Sequence, residues 1–423
     1  MGGVAMTQAK PLASMAGDIA RARRGGAFGA RERTAAARVI AAVRRDGDRA
    51  VLRVVREFDR RTAKLDDLVA DRSMLRRAAR SAPRDVRSAL DLAYKRIYTF
   101  HEGQRPRATH ERDGAAVARI TPTPLHRVGA LVPRGVTGYP STALMTGVPA
   151  QVAGVPELIA ASPMPRDGAL EPALAYALVL VDADALYRAG GAAAVAALAY
   201  GTSFIAGVNK IVGPGNAYAA AAKWLVSADV GIDALQGPSE LVVVASRDAD
   251  PEQIALDLFA QAEHGSGAFA ACVSDDGTLL RDVREALRTG ASAERDHLAR
   301  RVLLYHAPNI RAAARSANDA APEHVLLAGK AAAALSETID TAGAVFIGSR
   351  SAVAFGDYVA GTNHCLPTGG TAKWSSALRV EDFVRWTSRV EIRTDTKRIA
   401  AAGATIARHE RMRYHAESME ART

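Results

Sequence analysis

Gln261 and His264 stand three residues apart in Ala260-Gln261-Ala262-Glu263-His264, after Ile254, Leu256, Leu258 and Phe259, a run that reads as a largely buried helix. At that spacing both side chains emerge on one helix face, one turn apart. An amide oxygen and an imidazole nitrogen placed that way supply two ligands to Zn²⁺ or Mn²⁺. A lone Gln-x-x-His otherwise serves as a surface or capping pair. Further on, Glu323-His324 follows Pro322 and sets a carboxylate beside an imidazole in a non-helical turn. Two titratable groups in one site can divide proton transfer between them. Asp357, between Gly356 and Tyr358, is either a hard oxygen ligand on a loop or a plain turn residue. Glu410 and His415 lie in a charged C-terminal tail that by itself reads as a solvated helix.

These groups need elements to position them. Helical patterning covers residues 34–98, broken at Gly47-Asp48, where Asp48 can cap the next helix, and again at Ser81-Ala82-Pro83. A short strand over 117–120 is expected to stop at Pro122, and a second strand over 127–132 ends at Pro133-Arg134-Gly135. The rhythm then becomes strand, turn, helix. Strands are expected at 158–161, 183–188, 210–212, 241–245 and 268–274, with helices at 171–180, 192–200 and 217–227 and one carrying Gln261 and His264. Such alternation predicts an α/β chain of parallel sheets with helices on both faces.

Gly213-Pro214-Gly215-Asn216 falls between a strand and a helix. There glycines let the backbone approach a ligand, and the helix start offers free N–H groups to an anion. A tight turn without a ligand has the same sequence. Gly265-Ser266-Gly267-Ala268-Phe269-Ala270 matches the glycine spacing of a dinucleotide fingerprint, but it leaves a helix and enters a strand, the reverse of what a pyrophosphate needs.

Composition narrows the class. The 423 residues imply two or three domains. Aliphatic runs are interrupted by charge, as by Glu171 and Asp182 in 169–183, so no membrane span is expected. The two cysteines, Cys272 and Cys365, have no Cys-x-x-Cys partner and read as reduced, buried thiols of a cytoplasmic protein. Net charge is +10, and residues 1–130 hold 28 Lys and Arg against 14 Asp and Glu. That excess sits on helical stretches poor in aromatics, which argues for solvated faces and against a nucleic-acid partner. An exposed N-terminal arm is expected over residues 1–32.

Several motifs together resemble one family. Val148-Pro149-Ala150, Lys210-Ile211-Val212-Gly213-Pro214-Gly215-Asn216, Gly231-Ile232-Asp233, Gly237-Pro238-Ser239-Glu240, Gln261-Ala262-Glu263-His264, Ala321-Pro322-Glu323-His324, Gly356-Asp357-Tyr358 and Gly361-Thr362-Asn363-His364 stand in the order seen in histidinol dehydrogenases. The resemblance runs from about residue 35 to about 418. It implies two Rossmann-like domains, one discontinuous (33–131 with 240–378) and one over 132–239, and a helical tail over 379–423. It implies an NAD-linked, zinc-dependent dehydrogenase that takes an amino alcohol to the acid in two hydride transfers, with one Zn²⁺ per subunit. Gln261, His264, Asp357 and His415 would be the metal ligands. His324 would be the general base, and Glu323 would activate water. Ser239, His324, His364 and Glu410 would line the substrate pocket. A homodimer is implied, with Glu410 and His415 reaching the neighbouring subunit's site. Other readings are a paralogue for another polar alcohol, such as a sulfonated diol, or a metal-binding scaffold without catalysis. Two family nucleotide contacts, a Tyr and a Gln, are replaced here by Leu131 and Ala193, leaving Asn216. Arg134 stands where the family has Gly, a new cation beside the expected cofactor path.

Overall fold

The computed structural model describes residues 8–112, 116–265, 267–288, 293–394 and 396–423. Its strands, in chain order, are β1 (Lys10–Pro11), β2 (Val69–Asp71), β3 (Thr109–Arg112), β4 (Ala116–Pro124), β5 (Arg127–Leu131), β6 (Glu157–Ala161), β7 (Ala185–Tyr187), β8 (Lys210–Val212), β9 (Gly231–Ile232), β10 (Glu240–Ala245), β11 (Phe269–Ser274), β12 (Val302–His306), β13 (His324–Ala328), β14 (Ala344–Ile347) and β15 (Val384–Ile392).

Two six-stranded sheets carry the fold, as the alternating pattern predicts. The first runs β1-β12-β11-β10-β13-β14, and every neighbouring pair in it is parallel. The second runs β2-β7-β6-β5-β8-β9, parallel except for β2. Both sheets have helices on both faces, so their central strands are mostly apolar: all six residues of β10 and of β11 are buried, only Glu240 and Ser274 among them polar. In each sheet the chain leaves a central strand to one side and returns to the other, which puts a topological switch point between β10 and β13 and another between β5 and β8.

Four expectations are corrected here. The sheets do not divide at residue 131. β2 and β5 pair within the second sheet, so residues 69–71 and 127–131 join the 132–239 stretch and not 240–378. β4 runs through Pro122 to Pro124, because beyond Ile120 it has left β3 behind and pairs only with β15, and an edge tolerates a missing N–H. The tail over 379–423 begins with a 3-10 turn, Val380–Phe383, runs into strand β15 and becomes α-helical only from Thr396–His409 onward. Asp48 does not cap. Gly47 takes that place at φ 56°, while the buried Asp48 carboxylate accepts from the Tyr187 hydroxyl (2.6 Å) and the Ser203 N–H (2.8 Å).

The N-terminal segment is not a loose arm from residue 8 on. β1 adds to β12, and the helix Met15–Ala22 buries Met15 and Ile19 against the apolar face of the first sheet. Residues 1–7 lie outside the described part. Cys272 and Cys365 are buried free thiols, and burial raises the Cys272 thiol to about 12. Among the described residues no helix is long and apolar enough to cross a membrane.

Candidate active site

Parallel pairing of β10 with β13 brings their amino ends side by side, in register Leu241 to His324. Ser239, Glu240, Glu323 and His324 therefore meet at one sheet edge. The Glu323 carboxylate accepts from the Ser239 hydroxyl and from the Glu240 N–H (3.0 Å). The carbonyl of Glu240 lies 3.2 Å from His324 Nδ1. A carbonyl only accepts, so Nδ1 carries the proton and Nε2 keeps its lone pair. The backbone of one residue, Glu240, thus holds both members of the pair.

Two more histidines are held the same way. His264 Nδ1 donates to the Ala260 carbonyl (3.0 Å), and His364 Nδ1 to the Asp357 carbonyl (3.0 Å). Each presents Nε2 as a free donor of electrons, the form a metal or an alcohol proton requires. Asp357 lies on a five-residue helix, Ala354–Tyr358, and not on a loop. Its charge acts on Glu323, His324 and His364, and His264 acts on both of those imidazoles, so these side chains share one neighbourhood. The helix Pro251–Ala262 ends before His264, which sits exposed on a final turn closed by its N–H to the Gln261 carbonyl (3.3 Å). The expected shared helix face is therefore a helix and its terminating turn.

Burial sets the protonation states. It pushes the Glu323 carboxyl up to about 8, against the two hydrogen bonds it accepts. It lowers the His324 and His364 imidazoles, which are neutral at pH 7. A neutral imidazole with a free Nε2 is ready to take a proton.

The second switch point holds the other expected residues. Gly213 (φ 97°) has no room for a Cβ, which would fall 2.5 Å from the Leu131 carbonyl. Asn216 caps the helix Ala217–Val226, its Oδ1 accepting from Tyr218 and Ala219, and faces Gly191. Leu131 and Ala193 are packed into one core and turn nothing polar to this crevice. Arg134 is already engaged: Nη1 lies 3.3 Å from Glu171, and Nη2 donates to the Val136 carbonyl (3.1 Å). The corresponding crevice of the first sheet is closed by Asp248, whose carboxylate accepts from the Lys330 N–H (3.1 and 3.0 Å) and the Ser246 hydroxyl.

The motif Gly231-Ile232-Asp233 acquires a role that sequence alone did not give it. Asp233 accepts from the Gly213 N–H (2.7 Å) and pairs with Lys223, which is 1% exposed and also donates to the Gly213 carbonyl (3.1 Å). The pair braces the glycine loop from behind. Asp233→Ala leaves a buried ammonium without its countercharge and is expected to cost about 3–5 kcal/mol, read as a lower urea midpoint with unchanged slope.

Two expected residues stand apart. Glu410 and His415 are exposed on the C-terminal hairpin, which packs on itself through Ala404, Ala407, Ala416 and Met419. Two further contributors had no motif to mark them. Tyr139, on the loop after β5, acts through its charge on Tyr358, and Thr368 Oγ1 accepts from the Gly237 N–H (2.6 Å).

The histidinol dehydrogenase family model matches residues 24–423. The histidinol dehydrogenase of Methylococcus capsulatus is 42% identical over 91% of this chain and 90% of its own length. That of Saccharolobus solfataricus is 37% identical over 91% and 94%. The crystal structure of histidinol dehydrogenase from Elizabethkingia anophelis superposes with a TM-score of 0.86 at 28% identity, covering 92% of this chain and 91% of that one. A match over nearly the whole chain, on a fold that gathers the motif residues at one sheet edge, makes this chain an oxidoreductase of the histidinol dehydrogenase family.

Proposed function

We propose that this chain oxidises L-histidinol, through the aldehyde, to L-histidine, with NAD as acceptor and one zinc ion per subunit. The observation that carries the reading is the Glu240 backbone, whose N–H donates to Glu323 and whose carbonyl accepts from His324. His324 takes the alcohol proton at Nε2, the imidazole turned by its Nδ1–H bond so that this lone pair faces outward. Glu323 takes a proton from the water that attacks the aldehyde. Ser239, one hydrogen bond from Glu323, and His364, beside Asp357, complete the polar wall for substrate.

The donor set fits a borderline cation. The buried Nε2 end of the Gln261 amide has no partner, and an amide turned end for end offers its oxygen at that place. Gln261, His264 and Asp357 would hold zinc together with His415. Among the described residues no three His, Cys, Asp or Glu side chains close on one point, which agrees with a site that one chain supplies only in part. When bound, zinc positions and polarises the substrate oxygen and NAD receives the hydride. Asn216 would contact the nucleotide at the β5/β8 crevice, its Nδ2 remaining after Oδ1 has capped the helix.

The exposed tail supports a homodimer. Ile406, Met412 and Tyr414 are 61%, 50% and 77% exposed on the hairpin that carries Glu410 and His415. A groove of about 990 Å³ beside the Asp357 helix is lined by Leu92, Phe100, Phe346 and Phe355 and is apolar enough to receive such a hairpin.

Zinc-loaded protein given L-histidinol and NAD is expected to form two NADH per histidinol. No turnover with zinc bound would overturn this reading. It would favour a second one, a paralogue for another polar alcohol such as a sulfonated diol, which the loss of polar groups at Leu131 and Ala193 supports.

A further inference from the structure

The N-terminal segment ends against the active-site edge. Arg23 follows the helix Met15–Ala22 and reaches the Glu240 carboxylate with two parallel bonds, Nε to Oε1 (2.6 Å) and Nη2 to Oε2 (2.7 Å). Its Nη2 also donates to the Ala320 carbonyl (2.9 Å), on the segment that leads into Glu323. Glu240 is 4% exposed, so this carboxylate has been taken out of water and its partner is bidentate. The helix that delivers Arg23 is itself fixed. Asp18 accepts from Tyr305 on β12 (2.8 Å) and from Lys10 on β1 (2.8 Å), while Met15 and Ile19 are packed on the sheet.

We propose that Arg23 is a positioning residue for the reaction: by clamping the Glu240 side chain it fixes the residue whose backbone N–H and carbonyl hold Glu323 and His324. The inference rests on the functional reading given above. The physical argument is geometric. Glu240 sits at the first position of β10, where the ladder restrains the chain on one side only. Preceding it is Gly237-Pro238-Ser239, tied to the body by the Gly237 N–H to Thr368 Oγ1 (2.6 Å), by the Ser239 carbonyl to the Phe269 N–H (3.0 Å) and by the Ser239 hydroxyl to Glu323. Without the clamp Glu240 is held by the ladder alone, and a shift of its Cα displaces both flanking peptides, the N–H that meets Glu323 and the carbonyl that meets His324 Nδ1. Both side chains then lose their orientation at once. Small misplacements of this kind lower the rate of the chemical step more than they weaken binding. A lysine, with one point charge, cannot reproduce the two parallel bonds.

A cavity of about 320 Å³ beside the clamp makes the test direct. Arg23, Gly26, Phe28, Gly237, Glu240 and Thr368 are among the residues lining it, so a small cation can enter where the Arg23 side chain is removed. In Arg23→Ala, kcat for L-histidinol is expected to fall roughly 10-fold to 100-fold with KM little changed. Guanidinium chloride, well below denaturing concentration, is expected to restore a several-fold part of the loss. Glu240→Gln should show the same slowing without guanidinium response, and Arg23→Lys an intermediate kcat. Native kcat in Arg23→Ala, or a loss that guanidinium does not touch in a folded variant, would overturn the proposal. Should Arg23→Ala not fold, Arg23→Lys carries the test: an intermediate kcat at native KM supports the clamp, and a native kcat overturns it. Failure of the functional reading is seen separately, as absence of NADH formation by the unsubstituted protein. In that event the Nδ1–H proton resonance of His324 reports the clamp without substrate: a shift or loss in Arg23→Ala supports it, and an unmoved resonance overturns it.

Discussion

A His324→Gln variant is expected to lose about 10²-fold to 10⁴-fold in kcat, with a much smaller change in KM. The imidazole has one role that glutamine cannot fill. Its Nδ1–H is bound by the Glu240 carbonyl, which fixes the lone pair on Nε2, and burial keeps the ring neutral at pH 7. An amide in that place keeps a donor for Glu240 and has no basic nitrogen. Glu323→Gln separates the second role. It retains shape and most hydrogen bonding, yet it cannot accept a proton from water, so oxidation of supplied histidinaldehyde should slow more than the alcohol step. Equal slowing of the two would remove Glu323 from the water step. The pH dependence has a definite sign. Burial raises the folded carboxyl from its ordinary 4.5 to about 8. As a base Glu323 must be ionised, so the water step should rise as pH climbs through about 8, and the Glu323→Gln variant should lack that limb. Stability runs the other way. The folded protein holds a proton that the unfolded chain releases near 4.5, so this contribution is whole below that value and is lost as pH rises through about 8. Urea midpoints of the metal-free protein, compared with those of Glu323→Gln across pH 5–9, read this directly.

Much of this site can be read from the chain because its residues occupy places with local signatures. Gln261 and His264 stand at a helix end, Glu323-His324 at a strand start after proline, and Gly213-Pro214-Gly215-Asn216 at a strand-to-helix turn capped by its own asparagine. Strands β6, β7, β8, β10 and β11 are legible because glycines and caps punctuate an apolar period, while the two-residue β9 gives no such signal. The misreadings have physical causes. Leu68-Val69-Ala70 suits either a helical or an extended period, and only pairing with β7 makes it a strand. Pro122 stops a strand in isolation, but not one with an open edge. Gly231-Ile232-Asp233 carries no hint that its carboxylate braces a loop 20 residues earlier, nor does Arg23 that it meets Glu240, 217 residues away. Long-range ion pairs have no sequence period. The tail is the extreme case: even the folded single chain leaves His415 and Glu410 in solvent.

That exposure leads to the second large effect, which requires two chains. His324→Ala and His415→Ala are each expected to be almost inactive as purified proteins. Mixed under conditions that let subunits exchange, they are expected to recover about one quarter of native activity. Random exchange makes half of the dimers hybrid. In a hybrid, one site joins the core that keeps His324 to the tail that keeps His415, and the other site lacks both. If instead each tail served its own subunit, every site in the mixture would lack one group or the other, and activity would stay at the level of the separate variants. Zinc content gives a second reading of the same geometry. His415→Ala alone should bind substoichiometric metal, and exchange should leave total zinc unchanged while moving part of it onto the His415→Ala cores, because each surviving tail completes one neighbour's Gln261, His264 and Asp357. His324→Ala alone should keep its zinc, since its ligand set is untouched. Recovery of activity, with zinc on the His415→Ala cores, would place the exposed hairpin in the partner's groove beside the Asp357 helix, where Leu92, Phe100 and Phe355 stand open to receive it.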